Sequence, residues 1–467
     1  MNTRINRSFK TNRSAAFETL EARQMLTASP LLPLGITTTV YSGGTQLQIA
    51  GTSKSDNVNV APIAGGFKVS NGAWSQNILG TFNSIVVKTG RGNDKITIDP
   101  AITTPAFLYG GVDNDTLTGG AGNDKLYGQG GADILVGGAG DDILVNVGDS
   151  TLDKATGGAG FDTFWSDSAV SEKVTDASAD EIAQGTVHKV NSFAGFSTIR
   201  AKTGLAHAVR PTLDLNGGDL PDPGLDDASV RYSNFSADPL FSTDGPSADD
   251  VAQGYLGDCW YLSTLAAIAR THAGAIKQAI VELGDGTYAV QFENADGSKA
   301  FVRVDGDLPT TSWGGMQYAG LGKQESVWVA IMEKAYACFR QGGVANYADL
   351  DGGWMSEAFG DLGFDNQQIW DVSNGDDLLN QISNELSAGK AVTMAINQPA
   401  AGAPVIGSHA YTVISVDTDA QGHKTLVLRN PWGIDGAGHD GMDDGYVRLT
   451  AVQAYGSFWG VISSNVG

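Results

Sequence analysis

Gly119-Gly-Ala-Gly-Asn-Asp124-Lys-Leu126-Tyr and Gly137-Gly-Ala-Gly-Asp-Asp142-Ile-Leu144-Val share one nine-position pattern, G-G-x-G-x-D-x-U-x with U apolar. Gly157-Gly-Ala-Gly-Phe-Asp162-Thr-Phe164-Trp is a third copy. Two looser copies, Gly110-Gly-Val-Asp113-Asn-Asp115-Thr-Leu117-Thr and Gly128-Gln-Gly-Gly-Ala-Asp133-Ile-Leu135-Val, fill the register, so Asp115, Asp124, Asp133 and Asp142 stand nine residues apart. Glycine permits tight turns with φ > 0 and leaves carbonyls accessible, while each Asp adds a carboxylate. If two nonapeptides make one coil, residues 18 apart stack. Asp115 then lies over Asp133 on one edge and Asp124 over Asp142 on the other. The apolar U residues Leu117, Leu126, Leu135 and Leu144 point inward. This spacing predicts a stacked parallel β-roll, and a flexible glycine-rich linker is the competing reading.

The nonapeptide resembles the calcium-binding repeat of RTX proteins. Calcium takes six to eight oxygens, more than one turn supplies, so ligands are expected from adjacent coils. The candidate ligands are Asp94, Asp113, Asp115, Asp124, Asp133, Asp142 and Asp162, with Asp94 in a degenerate first copy. The step from Asp142 to Asp162 is 20 residues rather than 18, which predicts a distorted last coil. Upstream, Gln46–Thr52, Val58-Asn-Val, Phe67-Lys-Val and Ile85–Ile98 alternate as strands do, and read as β-solenoid leading into the roll.

Downstream the pattern changes to that of a packed domain. Gln253-Gly-Tyr-Leu-Gly-Asp-Cys259-Trp260 puts one of only two cysteines at the start of an apolar stretch running to Arg270. That stretch has no helix breaker and reads as a buried helix with Asp258 as N-cap. The helix field at its first turn favours thiolate. His409 opens a strand-like run to Val416, and Asn430 lies in Leu428-Arg-Asn430-Pro-Trp432-Gly433. Cys, His, Asn and an oxyanion-type Gln are the components of a thiol hydrolase. Singly, each has a bland reading: buried thiol, core histidine, turn residue, surface amide. Trp328, Ile331, Met332, Ala335, Tyr336 and Phe339 follow helical spacing. Strands are expected at Ala391–Asn397, His409–Asp417, Lys424–Asn430, Tyr446–Leu449 and Phe458–Ser463. Helices followed by strands suggest two lobes with a cleft between them.

These segments together resemble the calpain family of cysteine proteases over about the last 220 residues. The nucleophile segment, Trp328-Val-Ala-Ile-Met-Glu333-Lys334-Ala-Tyr336, His409-Ala-Tyr411 and Arg429-Asn430-Pro-Trp432-Gly433 carry the likeness. The resemblance implies an α+β papain-like, two-lobed protease core. By it, Cys259 attacks the peptide carbonyl, His409 acts as base and then acid, and Asn430 orients the imidazole. Trp432 shields that contact, and Gln253 with the Cys259 backbone N–H holds the oxyanion. Asp250 fits one calcium-ligand position of the family core. Ala348 stands where the family has an acidic residue, so the core site is in doubt.

The chain of 467 residues is long enough for several domains, and its net charge of −23 disfavours nucleic acid as a partner. No run of 18 apolar residues occurs, so no membrane span is expected. Two cysteines make no disulfide framework, and a single Cys259–Cys338 bridge is the minor alternative. The expected organisation is a leader at 1–30, a solenoid and roll at 31–165, a linker or prosegment at 166–245, and a protease domain at 246–467. Within the last, 246–385 is read as the helical lobe and 386–467 as the β-rich lobe. The leader includes Phe17-Glu-Thr-Leu-Glu-Ala-Arg-Gln-Met-Leu26, similar to leaders of some bacterial envelope and secreted proteins. A secreted or cell-surface endopeptidase acting on proteins or peptides, with calcium in the roll, is the expected function. An inactive calcium-binding adhesive protein and a papain-fold acyltransferase are the rivals.

Overall fold

The computed structural model describes residues 34–41, 44–148, 152–168, 172–193, 219–341, 345–437 and 442–465. The leader and residues 194–218 of the linker or prosegment lie outside the described residues. The N-terminal half is a parallel β-solenoid of two facing sheets. One contains Ser84–Arg91, Ala106–Val112, Lys125–Gly130, Ile143–Asn146, Thr163–Asp167 and Val187–Val190. The other contains Lys95–Ile98, Thr116–Thr118, Ile134–Ala139, Lys154–Ala159 and Lys173–Val174. Leu126 pairs with Leu144 and Leu117 with Leu135, the 18-residue stacking expected from the repeat. These four leucines are buried between the sheets with Ile96, Leu108 and Phe164.

The last coil keeps its register where the spacing had suggested distortion. Ile134 pairs with Lys154 and Ile143 with Thr163 in unbroken parallel ladders. The two additional residues fall at one corner, between Asn146 and Asp153. A corner accepts an insertion because only the strands carry ladder hydrogen bonds. At the other end, antiparallel partners extend the sheets: Gly35–Tyr41 on Gly44–Ala50, and Gly66–Asn71 with Trp74–Leu79 beside Asn57–Ile63. Residues 172–193, within the stretch read as linker or prosegment, continue the solenoid. Arg231–Asn234 pairs with Asp307–Thr310.

The C-terminal half is α+β. The helix Cys259–Thr271 is buried along nearly its whole length and packs on the strand His409–Thr418, where Thr412 Oγ1 donates to the Ser263 carbonyl at 2.8 Å. That strand belongs to a six-stranded antiparallel sheet ordered Asn366–Ile369, Phe458–Ser464, Val392–Ile396, His409–Thr418, Lys424–Arg429 and Tyr446–Thr450. Trp328–Gln341 forms the expected second helix. The region read as helical also contains a three-stranded antiparallel sheet, Ile280–Glu282, Thr287–Glu293 and Lys299–Asp305. Its turns are legible after the fact: Gly284-Asp-Gly286 and Asn294-Ala-Asp-Gly297 separate alternating apolar runs, with φ near +80° at these glycines (84°, 86° and 79°).

That small sheet is where the two halves meet. Tyr127, Val145, Val147, Trp165, Val190 and Phe193 of the solenoid form one apolar cluster with Val281, Leu283, Ala289 and Phe301. Trp165 stacks on His188 at 4.0 Å and meets Phe301 edge-on. His188 reaches Gln291 at 2.8 Å and Gln278 at 3.2 Å. Truncating a buried Trp removes its contacts and leaves a cavity, so Trp165→Ala is expected to destabilise the protein by about 3–5 kcal/mol. Urea denaturation measures it. A loss below about 1 kcal/mol would mean the interface carries little stability.

Candidate active site and calcium-binding columns

Cys259 opens its helix at the floor of the site, with its thiol only partly exposed. His409 opens the facing strand, at the end paired with Ile396. Asn430 follows the next strand, and its backbone N–H donates to the Gly445 carbonyl at 2.8 Å. The structure therefore brings Cys259, His409, Asn430 and Trp432 to one place from distant parts of the sequence.

Hydrogen bonding fixes the state of the imidazole. Asn430 Oδ1 accepts from the Trp432 backbone N–H at 3.1 Å, and Asn430 Nδ2 donates to the Asp435 carbonyl at 3.3 Å. The amide cannot flip without facing donor to donor and acceptor to acceptor. His409 Nε2, 2.9 Å from Asn430 Oδ1, must therefore carry the proton, which leaves Nδ1 as the basic nitrogen. The Trp432 ring lies 4.9 Å from the imidazole and screens this bond.

The ionisation differs from the thiolate that a helix N-terminus alone would favour. Burial pushes the Cys259 thiol up to about 11, and the Ala410 N–H only partly offsets it. Burial also lowers His409, opposed by its bond to Asn430. Both shifts favour the neutral pair, thiol and imidazole. Gln253 also differs from expectation. Its Nε2 donates to the Leu256 carbonyl at 2.5 Å, so the amide is engaged within its own loop.

The resemblance gives Asp250 a place in a core calcium site. Asp250 is fully buried and takes donors from the Ser247 and Lys323 backbones and from Trp328 Nε1, while Ala348 offers no carboxylate. Elsewhere, carboxylate oxygens of Asp219, Asp305 and Asp307 lie within 4.8 Å of one another. The Lys334 ammonium, bonded to Asp222 and Asp305, already supplies the cation there.

In the solenoid the aspartates form two columns, one along each edge. Asp94 N–H donates to Asp115 Oδ1, Asp115 N–H to Asp133 Oδ1, and Asp133 N–H to Asp153 Oδ1. On the other edge Asp124 N–H donates to Asp142 Oδ1 and Asp142 N–H to Asp162 Oδ1. One oxygen of each carboxylate thus ties coil to coil. The second oxygens of Asp94, Asp115 and Asp142 are buried and accept no hydrogen bond. They point into cradles beside the glycines, where a Cβ on Gly137 would collide with Asp142 Oδ2 and the Gly157 carbonyl. Orphaned carboxylate oxygen beside backbone carbonyl is the donor set of a hard cation such as calcium, and the residues fit it.

Asp113 lies outside the columns, on an exposed turn at φ 82°, where it accepts from the Gly92 N–H. The sequence reading missed Asp56, Asp153, Glu172 and Glu181, which extend the columns by the same backbone-to-carboxylate bonds. Asp153 follows Asp133 by the 20 residues that separate Asp162 from Asp142, a signal that could have found it.

A cysteine opening a buried helix, a histidine opening the facing strand and an asparagine just past the next strand are the arrangement expected of a cysteine protease. The calpain family cysteine protease profile matches residues 228–441, and that of the RTX calcium-binding nonapeptide repeat (4 copies) matches residues 109–144. The chain is 31% identical over 214 residues to the calpain-type cysteine protease DEK1 of Zea mays, covering 43% of this chain and 10% of that protein. It is 30% identical over 219 residues to human calpain-8, covering 44% of this chain and 30% of that protein. It is also 30% identical over 231 residues to calpain clp-4 of Caenorhabditis elegans, covering 46% and 31%. The chain thus spans from a tenth to under a third of these relatives. It carries a calpain-family cysteine protease domain together with RTX calcium-binding repeats.

Proposed function

We propose that the chain is a calpain-like endopeptidase that hydrolyses peptide bonds through Cys259, His409 and Asn430. The observation that carries this reading is the fixed imidazole, with Nε2–H held by Asn430 and Nδ1 left as the basic nitrogen, on the strand whose Ala410 N–H reaches the Cys259 sulfur. His409 Nδ1 takes the thiol proton as Cys259 Sγ bonds to the substrate carbonyl carbon. The imidazolium then returns that proton to the leaving amine as the C–N bond breaks, giving an acyl-enzyme that water hydrolyses through the same base. The Cys259 backbone N–H and Gln253 would stabilise the oxyanion once the Gln253 amide turns from Leu256, and each such donor is worth about 3 kcal/mol.

Asp94, Asp115, Asp124, Asp133, Asp142 and Asp162 would hold calcium in the roll, whose charge would offset the mutual repulsion of their carboxylates and support folding. A secreted or cell-surface location follows from this requirement, because calcium is scarce inside cells. Among the described residues no helix is long and apolar enough to cross a membrane.

The inward Gln253 amide favours the second reading, an inactive calcium-binding adhesive protein. An epoxysuccinyl inhibitor discriminates. Cys338 is buried and its thiol is pushed up to about 12, so peptide mapping should find the label on Cys259 alone. A Cys259 that stays unmodified in millimolar calcium would support the inactive reading.

A further inference from the structure

The N-terminus of the nucleophile helix holds a group of acceptors without a donor. Asp258 occupies the N-cap position, yet its side chain makes no capping bond. It is wholly buried, and neither carboxyl oxygen accepts a well-formed hydrogen bond from an N–H or O–H group. Within hydrogen-bond reach lie the carboxyl of Glu333, itself buried, and the side-chain amide of Gln253. The Gln253 Nε2 is held by Leu256, and its Oε1 is also buried without a donor. Glu333 accepts the Ala319 N–H at 3.1 Å with both oxygens.

We infer that Asp258 and Glu333 hold one proton in common, and that this bridged pair is a positioning element for the reaction at Cys259. A single proton converts two repelling carboxylates into a charge-assisted O–H···O⁻ bond where the nearest amide donor, Gln253 Nε2, is already held by the Leu256 carbonyl. Nearby cations face elsewhere: Arg340 stands over the Trp260 ring, and Lys334 turns to Asp222 and Asp305. The other titratable groups around the pair are Asp351, beside Gly257, the Cys259 thiol and the phenols of Tyr261, Tyr318 and Tyr347. None is a cation. Burial drives both carboxyls upward, and the charge of Asp258 raises Glu333 further.

The geometry gives the pair its role. Glu333 is on the Trp328–Gln341 helix and grips Ala319, whose segment is stitched to the Gln253 loop by Tyr255 N–H to the Gln317 carbonyl and Gly320 N–H to the Ala252 carbonyl. Asp258 closes this circuit directly before the nucleophile. A protonated Asp258 also adds no negative charge beside the thiol, whereas an ionised one raises it.

The positioning role rests on hydrolysis at Cys259, but the shared proton does not, and the test separates them. In the full-length Cys259→Ala protein, infrared spectroscopy at neutral pH should show a protonated-carboxyl band that Asp258→Asn removes. Folded-state values raised above the unfolded ones give stability that is present at low pH and lost as pH rises through them. Stability of the Cys259→Ala protein should therefore fall more steeply above neutral pH than that of the same protein with Asp258→Asn added, whose amide N–H replaces the proton. In the active enzyme, Asp258→Ala should lower kcat about ten- to a hundredfold with little change in KM. Asp258→Asn should recover most of that loss. Glu333→Gln supplies the donor from the other side if the Asp258→Asn variant folds poorly. No band sensitive to either substitution, with parallel pH profiles, would overturn the inference. A sensitive band in a protein that never hydrolyses peptide would uphold the shared proton and reject the protease reading.

Discussion

Cys259→Ala is expected to lower casein hydrolysis by a factor of about 10⁴ or more, the scale on which nucleophile loss acts in acyl-transfer enzymes. Removing one sulfur from a partly exposed helix start creates no large cavity, so stability should stay within about 1 kcal/mol of wild type. The calcium response of the roll should be unchanged. Equal turnover by the two proteins would reject the mechanism. The pH dependence of Cys259 alkylation provides an internal check. With the thiol pushed up to about 11, little thiolate is present at neutral pH and the rate should rise steadily into the alkaline range. A preformed thiolate–imidazolium pair would instead react at a rate already level by mildly acidic pH. Amine incorporation outpacing hydrolysis would point to an acyltransferase.

Much of this was legible from spacing. The 18-residue period of the roll predicts which aspartates stack, because each coil repeats one backbone conformation and a register shift would expose its leucines. The protease elements around Cys259 and His409 were legible for a different reason, as long apolar periodic segments. The inward Gln253 amide and the Asp258–Glu333 contact were not. Both depend on how a loop packs against residues some 60 to 75 positions away (Tyr255 on Gln317, Asp258 on Glu333), and local patterns are silent on that. N-cap preference gave Asp258 the right position but the wrong partner. Asp113 shows the converse. It fits the repeat by sequence, yet a positive φ turns it into solvent.

Calcium removal is expected to have the second large effect, unfolding the solenoid at neutral pH. Without metal, burial raises Asp115 to about 7, Asp142 to about 8 and Glu172 to about 8, with Asp124 and Asp162 near 6. Raised folded-state values make the metal-free roll most stable below pH ~4, with stability lost progressively as pH rises through about 6–8. Calcium reverses the sign, since it binds the deprotonated carboxylates, releases protons and grows tighter over the same window. A site with Kd of about 10⁻⁴ M stabilises by about 2.7 kcal/mol at hundredfold excess calcium. A few such sites approach about 10 kcal/mol, the whole stability of a typical domain. Because Tyr127 and Trp165 are shared with the protease sheet, loss of the roll should also expose that sheet and lower peptide hydrolysis. Far-UV circular dichroism of the full chain at pH 7.5 should therefore show β structure in millimolar calcium, its loss in chelator, and partial recovery on acidifying to pH 5. Identical spectra and melting temperatures with calcium and with chelator would separate the aspartate columns from folding altogether.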